Sequence, residues 1–116
     1  MMEPIKIKRI YDKPSDDDGY RILVDRIWPR GISKKDANLN EWNKEVTPSA
    51  ELRKWFDHKE ERFDEFGRLY REELMTKTEE LNRLKVLAKR EVITLLYGAK
   101  DPAINHAVVL RELLMK

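Results

Sequence analysis

Cysteine is absent from the 116 residues, which excludes disulfides, thiolate nucleophiles, cysteine-based zinc sites and iron–sulfur ligation in one step. Glycine is scarce, at four residues, and none of them builds a glycine-rich nucleotide or cofactor loop, so no cofactor is expected. No apolar run approaches the roughly 20 residues of a membrane span, and the opening residues lack a signal-peptide core. A membrane partner is therefore not expected, and a cytoplasmic location is. An excess of one charge is also missing. Lys and Arg number 24 against 22 Asp and Glu, a net charge of +2, which argues against a surface built for nucleic acid. What the chain does have is charge of both signs, 40% of residues, beside 41% hydrophobic ones, so a core sits under a heavily solvated exterior. At 13.9 kDa this suits one domain spanning 1–116.

Ile5, Ile7 and Ile10 alternate with Lys6, Lys8 and Arg9, the period of a half-buried strand. Asp12 to Gly19 is a breaker-rich loop, compatible with a hairpin or with an extended return to a parallel neighbour. Tyr20 to Val24 carries an unbroken aliphatic run and reads as a central strand. Ser33 to Ala37 fits a capped helical turn, and Leu39 to Val46 a short third strand. From Ser49 the period is helical, with Leu52, Trp55 and Phe56 on one face. Phe63, Phe66, Tyr70 and Leu74 mark a second helix. Thr76 and Glu79 have the spacing of a capping box for a third. Val92 to Tyr97 is the clearest buried strand. Asp101–Pro102 then signals a last helix carrying Ile104, Ala107, Val108, Arg111, Leu114 and Met115 on one stripe. Strands separated by helices predict an α/β fold, a small three-layer sandwich with a mostly parallel sheet of about four strands and four or five helices.

In such sheets ligands bind beyond the carboxyl ends of the strands. Two polar, sharply turning segments leave strands here, Asp25 to Gly31 and Tyr97 to Pro102. If their strands are parallel neighbours, the segments meet. Arg26 and Arg30 then offer planar donor forks, Lys100 a point charge, and the following helix its free amides. Asp25 and Asp101 would orient these cations, Trp28 would supply a flat wall, and Tyr97 closes the set. The expected ligand is a small molecule bearing a phosphate or carboxylate. His106 is the one candidate for acid–base chemistry. Each residue also has a plainer role: surface pairing for the arginines, core packing for Trp28, a helix cap for Asp101, solvation for Lys100, a backbone contact for His106. His58 reads as a cap or surface residue. No metal site is expected from His58, His106 and an aspartate, because no two of them stand at i, i+3 or i, i+4 as a ligand pair.

The string Gly19-Tyr-Arg-Ile-Leu-Val-Asp-Arg-Ile-Trp-Pro-Arg-Gly31 resembles the YeaO-like family of bacterial proteins, whose function is unknown. The resemblance extends through Leu52 to His58 and through Gly98 to Pro102 with His106. A more distant similarity is to larger uncharacterised proteins with a late C-x-E-K-D-P-x-x-C-H-R segment. Lys100, Asp101, Pro102 and His106 match that segment, whereas Tyr97 and Asn105 stand where it has cysteines and Ala107 where it has arginine. The resemblance implies a parallel sheet and a shared anion-binding arrangement without thiol chemistry, and it favours functional roles for Arg26, Arg30 and His106.

Two other readings remain at this point. The aromatic helices of 49–75 could dock a protein partner or a second copy, in which case an exposed apolar patch is expected. The basic strand ends could bind nucleic acid weakly, with steep salt dependence. Whether a reaction is catalysed, and the oligomeric state, are left open.

Overall fold

The computed structural model describes residues 5–116. Four strands form one sheet: β1 (Lys6–Arg9), β2 (Tyr20–Leu23), β3 (Glu41–Trp42) and β4 (Ile93–Tyr97). Their order is β1-β4-β2-β3, and every pairing is parallel. The first two strands are therefore not a hairpin, because β4 lies between them. The Asp12–Gly19 loop makes the return as a short 3-10 turn over Asp16–Asp18, capped by Ser15. Gly19 ends that turn at φ 65° against Val92, where an added Cβ would lie 2.3 Å from the Val92 carbonyl oxygen, so only glycine fits.

Around the sheet stand α1 (Lys34–Ala37), α2 (Ala50–Phe56), α3 (Phe63–Leu74), α4 (Thr78–Arg90) and α5 (His106–Leu114). The pleat divides the strand residues between two cores. Ile22, Val24, Ile93, Leu95 and Tyr97 join the main core with α2, α3, α4 and α5. Leu23, Leu96 and Ile10 face a thinner cover of Ala37, Trp28, Ile32 and Trp42. These are the expected α/β layers, of unequal weight. All five residues of β4 are buried, as its nearly continuous apolar run requires of a strand packed on both faces, with the Thr94 hydroxyl donating to the Asp18 carbonyl.

Several local boundaries differ from the sequence reading. The third strand stops at Trp42 because Asn43 Oδ1 accepts the amides of Glu45 (3.0 Å) and Val46 (3.3 Å), curling the chain out of the ladder. Ser33 and Ser49 do cap α1 and α2. Thr76 does not cap α4. The chain runs from α3 through a 3-10 turn, Met75–Lys77, with no extended residue to serve as a cap, and Thr76 Oγ1 instead donates to the Glu73 carbonyl at 2.8 Å.

The last helix starts later than Asp101–Pro102 suggested. Asn105 sits in extended conformation, and its Oδ1 accepts the Val108 amide at 3.2 Å, so Asn105 is the cap and His106 the first helical residue. Asp101 Oδ1 instead closes a separate turn on the amides of Ala103 (2.8 Å) and Ile104 (3.1 Å). The buried face of α5 also differs from the expected stripe: it is Ala107, Val109, Leu110 and Leu114, with Met115 exposed.

Candidate functional site

The register of β2 with β4, Leu23 opposite Leu96, brings the two outgoing segments to one level at the carboxyl end of the sheet. The Val24 amide extends the ladder to the Leu96 carbonyl at 3.0 Å. Beyond it the Gly98 amide donates to Asp25 Oδ2 at 2.9 Å, stitching one loop to the other. A Cβ on Gly98 would lie 2.9 Å from that same oxygen, so a side chain here would displace the carboxylate. Asp25 is held from a second direction by Trp42, whose indole N–H donates to its main-chain carbonyl at 2.7 Å.

A cleft of about 770 Å³ opens over this junction, a volume in the range of pockets for organic ligands. Arg26, Arg30 and Lys100 line it and are exposed. Arg53, from α2, adds a fourth cation to the lining. Among the described residues none of these four belongs to an ion pair. The Arg26 guanidinium reaches only the Pro48 carbonyl, at a long 3.4 Å, and the Arg30 main chain is fixed by the Tyr11 hydroxyl at 2.7 Å. Asp101 lines the same cleft. Trp28 does too, anchored by its indole N–H to the Ile32 carbonyl at 2.8 Å and packed edge-on against Trp42, with ring centroids 5.2 Å apart. Trp28 thus packs on Trp42 while lining the cleft.

His106 forms part of the floor. Its Nε2 lies 2.6 Å from the Val24 carbonyl oxygen and 3.3 Å from Asp25 Oδ1. A carbonyl oxygen only accepts, so Nε2 carries the proton, and in the neutral ring Nδ1 is left as a lone-pair acceptor. Tyr70 packs edge-on against the imidazole with centroids 6.3 Å apart. The Tyr70 hydroxyl donates to the Val46 carbonyl, and burial pushes its pKa well up, with the charges of Glu73 and Asp25 adding to the shift. It is a fixed spacer. Asp25 Oδ1 is buried and has no hydrogen-bond partner among the described residues, an uncompensated acceptor at the centre of the site.

Tyr97 does not reach the cleft. It is the last residue of β4 and lies in the main core, where burial pushes its hydroxyl pKa up, with Asp12 adding to the shift. The strand's alternation sends it under the helices. The opposite wall of the cleft comes instead from residues that the sequence reading left outside the site: Arg53, Phe56, His58 and Phe66. Phe56 and Phe66 stack at 4.3 Å. Asp57 and His58 turn the chain with φ of 49° and 54°, left-handed geometry uncommon for non-glycine residues. The available signal was the family resemblance, which runs through Leu52 to His58 and so covers Arg53, Phe56 and His58. Of the aromatic set on these helices, Phe56, Phe66 and Tyr70 are buried, and Trp55 is 40% exposed. His58 and His106 both line the cleft, but among the described residues no group of three or more metal-ligating side chains assembles. No helix among the described residues is long and apolar enough to cross a membrane.

Comparison with known proteins places the chain clearly. The family model described as the inactive DUF488-N3 subclade matches residues 4–116. The uncharacterized protein YeaO of Escherichia coli strain K12 is 50% identical over 108 residues, covering 93% of this chain and 94% of its own. The uncharacterized protein Rv3073c of Mycobacterium tuberculosis strain H37Rv is 46% identical over 110 residues, covering 95% and 92%. No solved structure gives a significant match.

Proposed function

We propose, for a chain that belongs to the YeaO-like proteins of unknown function and to the inactive DUF488-N3 subclade, that the cleft binds a small organic anion bearing a phosphate or carboxylate. The observation that carries this reading is the set of four cationic side chains, Arg26, Arg30, Arg53 and Lys100, that share one cleft and pair with no carboxylate among the described residues. Arg68 and Arg83, by contrast, each pair with two carboxylates. Cations left together at strand ends, where α/β folds hold ligands, gain their counter-charge from a ligand.

The subclade's description as inactive favours binding without turnover. His106 is then a ligand-positioning group. A second reading, acid–base chemistry at His106, is favoured by one feature, the Asp25 carboxylate 3.3 Å from its Nε2. The protein-docking reading has less support, since the buried Phe56, Phe66 and Tyr70 are part of the core. Nucleic-acid binding has only the same local cations behind it, with a net charge of +2.

A thermal-shift series with inorganic phosphate, sugar phosphates, nucleotides and carboxylates tests the proposal. At least one anion is expected to raise the melting temperature of the wild type and to lose that effect on the Arg26→Ala, Arg30→Ala double variant. Equal shifts in both proteins, or none in either, would reject it. Loss of a ligand's chemical stability on incubation with wild type, absent with His106→Gln, would favour the second reading.

A further inference from the structure

We infer that the ligand carries a hydroxyl group close to its anionic group, as polyol and sugar phosphates do; the inference rests on the anion-binding reading of the same cleft. The cleft is polarised from rim to floor. Its exposed rim offers the donors of the Arg26 and Arg30 guanidiniums and the Lys100 ammonium, with one carboxylate, Asp101, whose Oδ1 is occupied by the amides of Ala103 and Ile104. Its floor offers acceptors. The side chains of His106 and Asp25 are 15% and 18% exposed, and the Nε2 proton of His106 is already committed to the Val24 carbonyl at 2.6 Å. In the neutral imidazole Nδ1 is therefore the acceptor left for a ligand, beside a carboxylate whose buried Oδ1 has no hydrogen-bond partner among the described residues.

A bare phosphate or carboxylate satisfies the rim but meets a lone pair and a like charge when it approaches the floor. A ligand with an adjacent hydroxyl satisfies both levels at once, its anion on the arginines and its O–H donating to Nδ1. The volume of about 770 Å³ leaves room for such a molecule, where an inorganic ion would fill a small part. The stacked Phe56 and Phe66, with Ile104, give its carbon skeleton an apolar wall.

Calorimetric titration of the full chain at low salt with glycerol 1-phosphate and with propyl phosphate isolates the hydroxyls, because the two are of similar size and charge. Wild type is expected to prefer glycerol 1-phosphate by about fivefold, the worth of one good hydrogen bond. His106→Phe keeps a flat ring against Tyr70 but has no nitrogen to accept a hydroxyl in place of Nδ1. The two affinities are expected to converge in that variant, with its melting temperature confirming the fold. Equal affinities in wild type, both lost on Arg26→Ala, Arg30→Ala, would overturn the hydroxyl inference and leave anion binding intact. No measurable binding of either phosphate would remove the anion reading and this one with it. The wild-type pair of titrations decides the matter even if His106→Phe does not fold.

Discussion

Just ahead of β2 and at its amino end, Asp18 and Arg21 face each other; past its carboxyl end, Asp25 and Arg26 follow one another in the chain, and the two pairs behave in opposite ways. Asp18 and Arg21 are 5% and 3% exposed and spend their charges on each other at 2.5 Å. Arg21 also donates to the carbonyls of Ala37 (2.7 Å) and Asn38 (2.9 Å), and Lys8 reaches Asp18 at 3.0 Å. Burial acts to raise the Asp18 pKa, but hydrogen bonds from the Ser15 amide, Lys8 and Arg21 outweigh it and hold the carboxyl below its ordinary range. At the other end Asp25 keeps a buried oxygen without a partner, and Arg26 makes one long contact. Charge composition alone does not separate these two ends. Satisfaction does: a closed network holds the α1 connection against the sheet, and an open one leaves donors for something else.

Removing Arg21 should have the largest effect of any single change to these groups. Arg21→Ala strands the Asp18 carboxylate in a buried site, and chemical denaturation is expected to show a loss of about 3–5 kcal/mol. Arg26→Ala, by contrast, breaks no ion pair and should stay within about 0.5 kcal/mol of wild type. Similar losses for the two variants would erase the distinction between the ends.

Acid sharpens the same contrast at smaller magnitude. Because the folded pKa of Asp18 is depressed, the stability it contributes is fully present above its unfolded value near 3.8 and disappears as pH falls through the lower folded value. Stability measured from pH 6 down to pH 2 should therefore decline less steeply in Asp18→Asn, which starts lower. An unchanged slope would mean that the Lys8 and Arg21 contacts do not hold the carboxylate in solution.

The sheet was largely legible in the chain because a period of two and a continuous apolar run leave few alternatives for Ile93–Tyr97 or Tyr20–Leu23. The meeting of the Asp25 and Gly98 loops then followed from parallel adjacency alone. Helix starts were harder to read, for a local reason. Asp101, Asn105 and Thr76 are all competent caps, and which one is used depends on whether that residue is itself extended, a matter of tertiary path. The far wall of the cleft was illegible for a different reason. Arg53 and His58 look like any solvated helix residues until α2 is laid across the strand ends, and nothing in their own neighbourhood announces that placement. Tyr97 shows the converse. Its position beside Gly98 suggested the site, but one step of strand alternation put it in the core.

Two-dimensional NMR of the isotope-labelled chain during titration with glycerol 1-phosphate tests the central claim most directly, since it reads both ends of the sheet at once. Progressive, saturable shifts are expected for the non-proline amides of Asp25–Arg30 and Gly98–His106, with the amides of Lys8, Asp18 and Arg21 unmoved. Shifts centred on those three residues, or a spectrum unchanged at millimolar ligand, would contradict the claim.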